Sequence, residues 1–180
     1  MSNAIKWNYK IMFPTDSNFI NRVTNASFTQ SKSSGNPMIV LEMEVVSPAE
    51  VQVGNDTVNI AGVKTTNYYT TQSFVDGVID PEKTAKNRSN LEKLYAAFEI
   101  PFEDFNPENP DLSSFKGKSV YTQMAPDVQE QRKNPTAEQI ADAKAKGIKF
   151  VQGDVMLNPI TGKPLVSYRP NVKEIFGLAR

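Results

Sequence analysis

The sequence predicts a mainly β domain with inserted helices, a small antiparallel Greek-key barrel with a helix between its third and fourth strands. Three observations carry this. In MIVLEMEVV, Leu41, Met43 and Val45 alternate with Glu42 and Glu44, the period-two pattern of a half-buried strand. Residues 80–100 hold a capped amphipathic helix pattern. The order of elements is strands, one such helix, then strands again, whereas a parallel α/β sheet needs repeated strand–helix alternation.

Element by element, NRVTNASFTQ is rich in Thr and Phe, which favour strands. It meets SKSSGNP, a cluster of turn formers, and then the alternating strand, so the pair forms a hairpin with a long loop. Pro37 suits the first position of a strand, where its missing N–H costs little. VQVGNDTVNI is a second, smaller hairpin turning at Gly-Asn-Asp, and GVKTTNYYTTQSF is a strand with at least one wet face. Asp80 is a natural helix N-cap and Pro81 suits the first helical position. Leu91, Leu94, Tyr95 and Phe98 then form one apolar stripe, and Pro101 ends the helix.

Residues 99–111, EIPFEDFNPENPD, form an acidic, proline-rich connector without a basic residue. It reads as a solvated loop, with an acidic docking site as the alternative. FKGKSVYTQMAP resumes strand character. An insertion over residues 126–147 contains the short polar helix TAEQIADAKAKG, capped by Thr136 and stopped by Gly147. The tail gives two further strands around NPITGKP. At 180 residues the chain fits one domain spanning 1–180. The five-stranded OB-fold has this arrangement, and its strand 2–3 face and two long loops form its usual binding surface.

Composition narrows the chemistry. With no cysteine and no histidine, the chain excludes disulfides, thiol nucleophiles, Ser-His-Asp triads and the usual zinc sites. There is no G-x-x-x-x-G-K-[ST] or G-x-G-x-x-G phosphate loop. Glu103, Asp104, Glu108 and Asp111 lie in a proline-rich loop, a poor frame for metal ligands. The expectation is therefore a non-enzyme without metal or cofactor. The 20 basic and 20 acidic side chains balance, but residues 1–111 hold 9 basic against 14 acidic and residues 112–180 hold 11 against 6. A globally basic nucleic-acid binder is not indicated, while a local basic face remains open. No apolar run reaches signal-peptide or membrane-spanning length, so a soluble protein of the cytoplasm is expected.

Several pieces, in order, resemble the phage-encoded single-stranded DNA-binding proteins with an OB-fold. They are the loop SKSSGNP followed by MIVLEMEV, the glycine-led strand AGVKTTNYYTT, the helix SNLEKLYAAFEIP, and DLSSFKGKSV leading into the fourth strand. The resemblance covers residues 18–176. It departs at EIFGLAR, which is not the acidic tail many such proteins carry, and at the 126–147 insertion. It implies binding of single-stranded DNA with little sequence preference, in replication or recombination within a bacterial host cell. Partners would include phage or host replication and recombination proteins. The alternative is a phage accessory or virion protein using the same barrel as a protein-interaction module.

Such binding needs cations along the phosphates and flat aromatic faces for the bases. Tyr68 and Tyr69 are adjacent in a strand, so one faces the core and the other stays available. Lys64 shares the face of Tyr68. Lys118 and Tyr121 fall on opposite faces of a regular fourth strand, and Tyr168 and Arg169 lie beside the loop that holds Lys163. Lys32, Lys116, Lys118 and Lys163 each sit near a glycine turn that lets backbone approach a phosphate. Trp7, Phe28 and Phe150 are expected in the core.

Overall fold

The computed structural model describes residues 18–180 apart from Gly54, so Trp7 and the strand-like IKWNYKIMFP lie outside the described residues. Five strands build the main sheet: β1 (Asn18–Gln30), β2 (Pro37–Ser47), β5 (Lys64–Thr70), β8 (Ser119–Glu130) and β9 (Val166–Leu178). Their order is β5-β2-β1-β8-β9, and every pairing is antiparallel. Two hairpins stand apart from it, β3 (Glu50–Val53) with β4 (Asp56–Asn59), and β6 (Phe74–Val75) with β7 (Val78–Ile79).

β1 explains how the sheet curls. Its first residues pair with both β8 and β2, whereas beyond Arg22 only β2 is its ladder partner. The register with β2 shifts between Val23 and Asn25, a bulge that raises local twist and bends the strand. The curl brings the two edge strands, β5 and β9, into contact. No ladder joins them among the described residues, and a cleft lies along the seam.

The alternation expected in β2 holds. Ile39, Leu41, Met43 and Val45 are buried, while Glu42 and Glu44 lie on the opposite face. α1 (Pro81–Ala97) begins at Asp80, whose carboxylate accepts from the Lys83 N–H at 3.0 Å. Leu91, Leu94, Tyr95 and Phe98 are all buried against the sheet. The helix ends because Pro101 forbids helical backbone at Ile100, and Glu99 turns the chain with φ +53°. Phe19, Phe98, Phe115, Leu91 and Met124 are among the largest fully buried side chains. Burying one such side chain contributes about 1.5–3 kcal/mol.

The last third departs from expectation in two ways. β8 runs on through Pro126 to Glu130, so the excursion begins later, at 131, and lasts to 165. Pro126 is tolerated because β8 has lost β1 there and pairs with β9 alone, opposite Pro170. Residues 148–157 do not form a regular strand either. They make only isolated bridges at Val155 and Leu157, because Gly153 packs directly on the backbone of Lys133 and interrupts any ladder. α2 (Ala137–Ala145) is as expected, with a reciprocal Thr136–Gln139 capping box and Gly147 just beyond its end. No described helix is long and apolar enough to cross a membrane.

Candidate nucleic-acid interface

On the outer face of β1, β2 and β5 the strand registers set up four rows. Arg22, Glu44 and Lys64 form one row, and Asn25, Glu42 and Thr66 the next. Ser27, Val40 and Tyr68 form the third, followed by Thr29, Met38 and Thr70. The face is therefore charged at one end and apolar at the other. Its two carboxylates are already engaged: Arg22 forms an ion pair with Glu44, and the Asn25 side-chain amide donates to Glu42 at 2.9 Å. Tyr68, in the third row, is 63% exposed.

Two grooves meet at Tyr68. At the apolar end a cavity of about 400 Å³ is lined by Thr29, Lys32, Met38, Val40, Tyr68 and Phe150. On the other side the seam cleft, about 390 Å³, runs between Lys64, Thr66 and Tyr68 of β5 and Asp127, Arg169 and Asn171 of β8 and β9. Lys32, Lys64 and Arg169 make no ion pair among the described residues. An exposed aromatic face is thus flanked by three cations whose charge is not taken up internally. Asp127 opposes Arg169 in register and is the one carboxylate lining the cleft.

Local chemistry builds both walls of the apolar groove. The β1–β2 loop closes on itself through Ser31 N–H to Asn36 O and Gly35 N–H to Ser31 O, each 2.8 Å. Gly35 lies at φ +72°, a conformation glycine adopts without steric penalty. Lys32 therefore projects from an ordered turn. Phe150 is carried by the 131–165 excursion, which is folded on itself. The Gln139 amide donates to Asp154 at 3.0 Å, the Lys133 N–H donates to Asp154 O at 2.9 Å, and Ile148 N–H reaches Ala143 O at 2.8 Å. A Cβ on Gly153 would stand 2.0 Å from the Lys133 carbonyl oxygen, so only glycine permits this approach.

Of the residues expected at a binding surface, Lys32, Lys64, Tyr68 and Arg169 come together here. Tyr69 does not. It points inward opposite Ile39, and burial pushes its phenol up to about 12. Lys118 precedes β8 and its ammonium donates to Phe98 O at 2.8 Å. There it satisfies a carbonyl at the end of α1, which has no basic residue in its own last turn. Lys116 is exposed on the turn before β8, and Tyr121 lies on the outer side of β8; neither lines a groove. Tyr168 opposes Val128 and, one residue from Arg169, lies on the other face of β9. Lys163 closes the turn over Asn158 at the tip of the excursion and lies in neither groove.

Phe150, expected in the core, is 44% exposed and lines the groove instead, because the segment that carries it does not enter the sheet. Phe28 packs partly buried against the core, as expected. Met38 and Val40 were not anticipated as groove residues. Their signal is in the sequence: they fall on the same strand parity as Glu42 and Glu44, so an apolar pair continues the polar face. No group of three or more acidic side chains is placed to hold a metal ion among the described residues.

Compared with models of known protein families, the sequence matches none, and no curated protein matches it.

Proposed function

We propose that this chain binds single-stranded DNA without catalysis and with little sequence preference, along a track from Lys32 and Phe150 across Tyr68 to Lys64 and Arg169. The observation that carries this reading is Tyr68 itself, 63% exposed where two grooves meet, with unpaired cations in both. A base stacked on such a ring gains about 1–3 kcal/mol whatever its identity, and the cations neutralise phosphates on either side. Glu42 and Glu44, held by Asn25 and Arg22, direct the backbone off β2 and along the β5 side of the face.

The strand order supports reading the curled sheet as an OB-type barrel, with α1 between its third and fourth long strands. In such folds the second and third strands, with the loops after the first and fourth, bind oligonucleotides. The apolar groove has that location: β2, β5, the β1–β2 loop and the β8–β9 excursion. With the resemblance of the sequence pieces, this supports a phage-encoded protein that protects single strands in replication or recombination.

Titration of fluorescent oligo-dT, oligo-U and duplex DNA at low and high salt tests the proposal. Tight, strongly salt-dependent binding of the single strands, and weaker binding of the duplex, is expected. Absence of binding to any of them at low salt would sink it. The competing interaction-module reading is favoured by the β6–β7 hairpin, whose Phe74, Val75, Val78 and Ile79 are all exposed. It would be selected by a protein ligand whose affinity is insensitive to salt.

A further inference from the structure

β8 keeps one open edge where it leaves β1. The β1–β8 ladder stops at Asn18 and Gln123, and Asn18 is the first described residue. From Met124 to Glu130, β8 pairs with β9 alone among the described residues, so the two strands form an arm. Ser119 O accepts from Ala179 N–H at 2.9 Å, and the Gln131 N–H donates to Leu165 O at 2.8 Å. Odd-numbered residues of β8 thus turn their backbone groups toward β9. Even-numbered ones face the β1 side, as Lys118 O does in accepting from Val23 N–H at 2.9 Å. The N–H groups of Val128 and Glu130 therefore point at the open edge.

The arm also has an uncovered face. Val120, Thr122 and Met124 are buried, and Pro126 and Val128 continue their parity along β8. Tyr168 opposes Val128, Val166 opposes Glu130, and Val128, Tyr168 and Val166 are all exposed. An apolar strip thus prolongs the core-facing side of the sheet beyond the core.

The sequence ahead of Asn18 carries a matching pattern. Ile5, Trp7, Tyr9, Ile11 and Phe13 alternate with Lys6, Asn8, Lys10 and Met12, the period of a half-buried strand. Carried on without a shift, the β1–β8 register sets Phe13 opposite Val128 and Ile11 opposite Glu130. Odd-numbered residues here share the buried face of Phe19, so Phe13 and Ile11 fall on the apolar strip. Glu130, next to Ile11 in its row, is already paired with Arg132 at 3.1 Å. The missing N–H of Pro14 points away from β8, where it costs no ladder bond. A slip of one residue would lay Lys10 and Met12 on the strip instead and turn Pro14 toward β8.

We propose that residues 9–13 add to this edge in that register, as a third strand of the arm. Pro126 has no N–H to give, so the ladder is bonded through Val128 and Glu130 and open at Pro126. The occupant is the chain's own segment because it is joined in line to β1, and docking it closes no long loop. Residues 14–17, Pro-Thr-Asp-Ser, also suit a turn, but Ile20, Asn21 and Arg22 are paired on both sides and leave no edge for a hairpin back onto β1. The arm is the base of the 131–165 excursion that carries Phe150 to its groove, so the added strand braces that wall. None of this depends on DNA binding.

Two measurements on the full chain test the proposal. The chain has no cysteine, so Met12→Cys combined with Gln129→Cys reads the register directly. These two positions would oppose each other as a non-hydrogen-bonded pair, the closer kind, within reach of a disulfide. Oxidation is expected to give a cross-linked monomer, and none from Met12→Cys combined with Val128→Cys, whose side chains face opposite ways. In amide hydrogen exchange, Val128 and Glu130 should be protected like Asp127 and Gln129, which pair with β9. Phe13→Asp should remove protection from the two edge amides and spare the other two. Free exchange of Val128 and Glu130 in the unaltered chain, or protection that survives Phe13→Asp, would overturn the proposal. So would equal cross-linking of both cysteine pairs or of neither. Covalent dimers in place of the monomer would also overturn it, because a second copy would then fill the edge.

Discussion

Tyr68 and Tyr95 differ in nearly every property except side-chain identity. Tyr68 stands 63% exposed on a strand, beside Lys64 and Lys32 and open to two grooves. Tyr95 is 3% exposed on a helix, edge-on to three phenylalanines and beside Asp111. In the strand, alternate side chains face opposite ways, so one ring of the Tyr68–Tyr69 pair must face water. In the helix, the i, i+3, i+4 spacing places Tyr95 within a stripe that packs on the sheet. The local period thus decides whether the ring serves as a platform or as part of the core.

The comparison breaks most visibly at the buried ring. Tyr95→Ala should cost about 3–5 kcal/mol, as for other large aromatic truncations in cores, and the drop should appear in the denaturant midpoint. A change below about 1 kcal/mol, the range of surface substitutions, would mean that the aromatic cluster does not hold the connector. Alkali probes the same contrast. In the unfolded chain phenols ionise near 10, whereas burial raises Tyr69 and Tyr95 to about 12. The unfolded chain releases these protons first, so the stability contribution is full below about pH 10 and is lost as pH rises toward about 12. A denaturant midpoint that stays constant through that window would contradict the burial of both rings.

A smaller effect, in binding and not in stability, is expected at the exposed ring. Tyr68→Ala should weaken oligo-dT binding about tenfold, corresponding to the loss of one stacked base, with an unchanged midpoint. Tyr69→Ala should do the reverse, lowering stability while the folded fraction binds normally. If both variants lost affinity alike, the track would not run over the outer face of β5.

Which of the two tyrosines faces outward could not be read from hydrophobicity, and the reason lies in β5 itself. Its outer face holds Lys64 and Thr66, but its inner face holds Thr65 and Asn67, equally polar. The inner pair is tolerated because the Asn67 amide donates to Thr65 Oγ1 at 3.3 Å, a contact with no trace in a linear pattern. β2, by contrast, was legible on its inner face, where Ile39, Leu41, Met43 and Val45 are all apolar, but not at the end of its outer face, where Met38 and Val40 follow Glu42 and Glu44. The Asp80 and Thr136 caps were legible because capping is decided within four residues. Phe150 was not: its place depends on a groove wall built by residues from Thr29 to Tyr68, far away in the chain. Lys118 was misread for a related reason, because the carbonyl it satisfies belongs to a helix end twenty residues earlier in the chain.

The finest distinction concerns the two turns that share polar residues, a glycine, one further residue and a proline: 31–37 and 158–164. Both present a lysine, but only Lys32 lines the groove at Tyr68, while the second wall is contributed by Phe150. If Lys32 neutralises one phosphate, Lys32→Gln should flatten the slope of log affinity against log salt by about 0.7. Lys163→Gln should leave that slope unchanged, because its turn is closed over Asn158 at the far tip of the excursion. An equal flattening by both variants would mean that this tip folds over the bound strand. The walls of the groove would then be two lysine turns, where the free molecule offers one cation facing one ring.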